Sequence, residues 1–69
     1  MKLSARNKLV GTVTSITRGE AIVNVALDVA GQRLVASITV EAVDELGLQE
    51  GAPVTAVIKA SDVIIATDD

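Results

Sequence analysis

The chain has 69 residues, no cysteine, no histidine, no aromatic residue and a formal charge of −3 at pH 7. One small domain over residues 1–69 fits that length, with a core so limited that association with other copies is expected to supply part of the stability. Disulfides, thiolate metal sites, the usual zinc ligand and the usual neutral-pH general base are all excluded.

In chain order, the first predicted element is the stretch "KLVGTVTSIT", Lys8 to Thr17, rich in Val, Ile and Thr. Its alternation slips between Val13 and Ile16 and Gly11 sits inside it, so it reads as one long strand carrying a bend or bulge. A turn at Arg18–Glu20 leads to a strand over Ala21–Val29, where every odd position is apolar and Asn24 and Asp28 face the other way. "AGQR", Ala30 to Arg33, supplies a glycine turn into Leu34–Val40, apolar at even positions, and the two strands are expected to form a hairpin.

The next segment, "TVEAVDELG", changes period. Thr39 can cap a short helix of about two turns, Ala42, Val43 and Leu46 share a face, and Gly47 can close it. A loop, "LQEGAP", leads to two further strand-like stretches, "VTAVIKA" and "DVIIA", bent at Ala60 and Ser61, and Thr67–Asp69 reads as a solvated tail. Five strands with one short helix between the third and fourth is the element order of an all-β, OB-like Greek-key barrel. Apolar Ile22, Val35 and Val57 fall on the outer face, which suits contact with other subunits.

Enzymatic chemistry finds no footing. No histidine stands ready to activate Ser4, Ser15, Ser37 or Ser61, and Asp44 and Glu45 occupy the solvent face of the predicted helix. The five glycines are dispersed and form neither GxGxxG nor a P-loop. Scattered carboxylates make no cation loop of the EF-hand kind. A nucleic-acid binder of the OB type is disfavoured by the acidic balance and by the lack of rings on which bases stack. No apolar run reaches the ~20 residues that span a bilayer, and no secretory leader pattern is seen, so a cytoplasmic protein with no membrane partner is expected.

Two polar clusters remain. "SARN" offers the Ser4 hydroxyl, the Arg6 guanidinium, the Asn7 amide and backbone N–H groups; "KAS" offers the Lys59 ammonium, the Ser61 hydroxyl and the amides of a bend. This is a donor inventory with two cations. An oxyanion ionised on every oxygen accepts at each and donates at none, so the clusters suit a tetrahedral dianion such as sulfate, molybdate or tungstate better than hydrogenphosphate. Composition and spacing alone favour the plainer alternative, in which Arg6 and Lys59 are surface charges, Ser4 and Ser61 are strand-end hydroxyls and the two clusters never meet.

The order "SARN", "L.G.V" (Leu9, Gly11, Val13), "ELGL..G" and "AVIKASDV" resembles the molbindin family, the small molybdenum-pterin-binding (Mop) proteins, over Lys2 to Ala66. Their module recurs as the TOBE domain in molybdate-transporter ATPases and molybdate-responsive regulators. What the resemblance implies is molybdate or tungstate bound as ligand, with no catalytic cofactor, between subunits of a homohexamer arranged as a trimer of dimers. Carried over residue by residue, the family's binding positions fall on Ser4, Ala5, Arg6 and Asn7 and on Lys59, Ala60 and Ser61. Thr39 resembles a hydroxyl that a neighbouring subunit supplies, in competition with its capping role. The expected function is intracellular storage of molybdenum by a stand-alone binding protein. The alternative is an effector-sensing or protein-interaction module of a molybdate transport or regulatory system.

Overall fold

The computed structural model describes residues 4–68; Met1–Leu3 and Asp69, the end of the expected tail, lie outside the described residues, as do the first two positions of the family resemblance. Four strands are formed: β1 Asn7–Arg18, β2 Ile22–Val29, β3 Gln32–Thr39 and β4 Pro53–Ile58, with the helix α1 Val40–Leu46 between β3 and β4. All pairings are antiparallel, and the sheet order is β3-β2-β1-β4.

β1 holds the sheet together by changing partners along its length. Asn7–Thr12 pairs with β4, and Thr12–Arg18 pairs with β2. At the changeover Gly11 lets β2 come close, since a Cβ there would lie 2.5 Å from the Asp28 carbonyl oxygen. Just beyond, the register shifts: Val13 faces Leu27 and Ser15 faces Ala26, which leaves Thr14 as the extra residue of a bulge. The Thr14 hydroxyl donates to the Ala26 carbonyl at 3.1 Å. The slip in apolar alternation is this bulge, and through it both Val13 and Ile16 reach the core.

β2 and β3 form the expected hairpin. Val29 pairs with Gln32 across Ala30 and Gly31, whose φ angles are 51° and 84°, so both central residues of the turn are left-handed. That is the two-residue turn whose twist matches the flanking strands. Thr39 then ends β3 and caps α1: its Oγ1 accepts the Ala42 N–H at 3.1 Å, and Gly47 closes the helix with φ 62°. Val43 is the buried residue of α1 and sits on Val13, Val23, Val25 and Leu27.

Three expectations are corrected. Val40, read as the end of a strand, is the first helical residue. Leu46 is 67% exposed rather than sharing the core face of Val43, because Gly47 turns the chain and half-buried Leu48 packs there instead, its N–H donating to the Val43 carbonyl. The fifth strand is not formed. After Ile58 the chain makes a single 3₁₀ turn, Ala60–Asp62, and Val63–Ala66 runs on without a partner strand. A strand exists only where its backbone groups find a ladder, and this run meets none among the described residues. The barrel class holds with four strands among the described residues, where β3 and β4 each have one strand neighbour.

Candidate functional site

The two polar clusters, more than fifty positions apart in sequence, lie at one end of the β1–β4 pair. Asn7 and Ile58 are the last partners of that ladder, and the Asn7 side-chain amide donates to the Ile58 carbonyl at 3.2 Å. One step beyond them stand Arg6 and Lys59. Antiparallel pairing therefore brings residues from opposite ends of the chain to one place, as the anion reading requires. Ser4 and Arg6 are exposed, and Ala5 and Asn7 are half-buried.

Across from this segment, Lys59 precedes the 3₁₀ turn and Ser61 lies within it; Lys59, Ala60 and Ser61 are all exposed. The turn's bonds run from the Asp62 N–H to the Lys59 carbonyl at 2.9 Å and from the Val63 N–H to the Ala60 carbonyl at 3.3 Å. The Ala60 and Ser61 amides come before the first of these bonds, which is where a turn leaves donors without an internal acceptor. The single ion pair among the described residues joins Arg18 to Asp44 at 3.1 Å, so no described carboxylate neutralises Arg6 or Lys59. Two cations share one strand end of an acidic protein. Such a rim attracts an anion by local rather than net charge.

Thr39 is not brought to this cluster. It pairs with Ile22, at the sheet end where β1 finishes at Arg18, whereas Asn7 begins β1 at the opposite end. Within one protomer Thr39 cannot share a ligand with Arg6 and Lys59. Its capping bond uses one lone pair of the hydroxyl oxygen and leaves the O–H free to donate, so capping and donation to an anion are compatible. A groove between β3 and β4 is lined by apolar side chains and Thr55 without a charged group, so it offers a dianion nothing.

An open OB-like barrel with a donor-rich, cationic rim where Ser4–Asn7 and Lys59–Ser61 converge is the class of protein these features define. The chain matches the TOBE domain over residues 3–65 and belongs to that family. It is 46% identical over 66 residues to molybdenum-pterin-binding protein 1 of Clostridium pasteurianum, covering 94% of this chain and 97% of the relative. A probable molybdenum-pterin-binding protein of Haemophilus influenzae is 39% identical, with 99% of this chain and 100% of the relative covered. Among solved structures, a molybdate-binding protein from Sporomusa ovata superposes with a TM-score of 0.93 at 40% identity, covering 97% of this chain and 100% of that one. The cytoplasmic molybdate-binding protein ModG, with molybdate bound, superposes with a TM-score of 0.88 at 49% identity, covering 93% of this chain and 46% of that one.

Proposed function

We propose that this protein binds molybdate, with tungstate as an alternative ligand, and stores it in the cytoplasm without turning it over. The convergence of Ser4–Asn7 with Lys59–Ser61 at the end of the β1–β4 ladder carries this reading. Arg6 and Lys59 offset the dianion's charge, while the Ser4 and Ser61 hydroxyls and the amides of Ala5, Asn7, Ala60 and Ser61 replace its water shell. Each charge-assisted bond contributes about 1.5–3 kcal/mol. The exposure of every charged group in the cluster leaves one side of the ligand uncovered in a single protomer. A second subunit covers it, bringing Thr39 from the far end of its own sheet, in a homohexamer built as a trimer of dimers. Relatives of nearly equal length that are named for binding molybdenum-pterin or molybdate support the ligand class.

The test is a thermal-shift comparison of molybdate, tungstate, sulfate and phosphate, because a ligand of the folded state alone raises the melting temperature. Molybdate and tungstate should raise it well above any effect of phosphate. Equal shifts for all four, or none, would discard the proposal.

A second reading has one observation in its favour. The same unit is 48% identical to part of the molybdenum import ATP-binding protein ModC of Brucella abortus, matching only 17% of that protein's length. A sensing module that works by protein contact would hold few anions and release them quickly. A store would bind several per assembly and retain them through dialysis.

A further inference from the structure

We propose that Lys8 is a third cation serving the anion site, a capture residue that draws a dianion in through its field without joining the hydrogen-bonded shell around it. The inference rests on the anion-binding reading and adds to it a residue that the positions carried over from the family do not include.

Period and register place Lys8. Across the β1–β4 ladder Asn7 faces Ile58 and Lys8 faces Val57. Exposure alternates through the segment leading into β1: Ser4, Arg6 and Lys8 are exposed, whereas Ala5 and Asn7 are half-buried. On the other side Ala56 and Ile58 are half-buried, and Val57 and Lys59 are exposed. Side chains two apart on a strand share a face, so Ser4, Arg6, Lys8 and Lys59 stand together on the outer one. Lys8 lies two residues inside Arg6, ~7 Å along the strand. That is within the ~10 Å over which a charge is felt at 0.1 M salt.

Three of the chain's six Lys and Arg residues therefore meet on one small face. Like charges on neighbouring strands destabilise a sheet, and the single ion pair among the described residues, Arg18 to Asp44, offers these three no relief. An anion does. The acids gather at the opposite end, where Glu20 follows β1 and Glu41, Asp44 and Glu45 lie on or beside the outer turns of α1. A chain of net charge −3 repels a dianion from a distance, and this polarity leaves one approach on which attraction wins.

The neighbours of Lys8 set its role apart from that of Arg6 and Lys59. Its ladder partner is apolar Val57, one row inside the turn that supplies the Ala60 and Ser61 amides. A charge at the rim of a site acts through its field and is screened by salt, whereas a charge in contact with the ligand keeps most of its effect.

The test is a calorimetric molybdate titration of the parent, Lys8→Gln and Lys8→Arg at about 10 mM and about 1 M sodium chloride, between which the screening length falls from ~30 to ~3 Å. We expect Lys8→Gln to bind about threefold to tenfold more weakly than the parent at low salt and within about twofold of it at high salt. Lys8→Arg, which keeps the charge, should match the parent at both. Equal affinity of Lys8→Gln and the parent at low salt overturns the proposal. So does a loss of the same size at both salts, which would put Lys8 in contact with the anion, or a changed assembled mass, which would make it a subunit contact. A parent that binds no molybdate at low salt is a failure of the anion-binding reading itself, and the role of Lys8 falls with it.

Discussion

The Asn7 side-chain amide donates to the main-chain carbonyl of Ile58, its own ladder partner and the last residue of β4. This one bond clamps the start of β1 to the strand that delivers Lys59. It spans 51 positions of sequence and joins the two halves of the proposed anion site. Asn7→Ala should lower stability by about 1 kcal/mol, the net value of such a bond. Denaturant unfolding measures that loss, and a molybdate titration of the same variant should show affinity reduced by more than the stability change alone would produce.

At Gly11 the sequence admits no side chain. A methyl group there would meet the Asp28 carbonyl oxygen at 2.5 Å and the Val29 Cγ2 at 2.9 Å. Gly11→Ala should cost about 1–3 kcal/mol, because two paired strands must separate to admit it. A fall in melting temperature checks this, and a variant as stable as the parent would mean that β1 and β2 lie farther apart than described.

The hairpin turn contains a removable strain. Ala30 has φ 51°, a region that costs a residue with Cβ about 1–2 kcal/mol. Asparagine is tolerated there and precedes Gly31 in the most favoured pair for such turns. Ala30→Asn should stabilise the fold by about 0.5–1 kcal/mol with no change in anion affinity.

Thr39 allows its two roles to be separated. Thr39→Ala removes the cap on α1 and should cost about 0.5–2 kcal/mol. Thr39→Asp restores a capping oxygen but places a negative charge where the neighbouring subunit is proposed to meet the dianion. Calorimetry should therefore find Thr39→Asp as stable as the parent and much weaker for molybdate. If its affinity is unchanged, Thr39 acts only as a cap.

Much of the fold was legible in local pattern. The alternation of Val23, Val25 and Leu27 named the buried face of β2, and all three are core residues. The slip between Val13 and Ile16 announced the bulge, because two apolar residues three apart can face one core only if a residue is inserted. Val63–Ala66 was misread for the complementary reason. Its composition is that of a strand, but whether a strand forms depends on an edge to pair with, and pattern along one chain does not reveal where that edge is. Leu46 failed similarly: helical spacing placed it beside Val43, while the turn at Gly47 handed its position to Leu48. The candidate site was visible as a donor inventory, yet its convergence depends on β1 pairing with β4, a long-range contact that no local spacing encodes. Motif order supplied what spacing did not.

The cationic pair tests the account most directly. Arg6→Ala and Lys59→Ala should each weaken molybdate binding at least tenfold in a calorimetric titration, about 1.4 kcal/mol or more, while the assembled mass stays that of the parent. Unchanged affinity in both variants would contradict an anion site at the end of the β1–β4 ladder, and disassembly of either would assign those residues to the subunit contact instead.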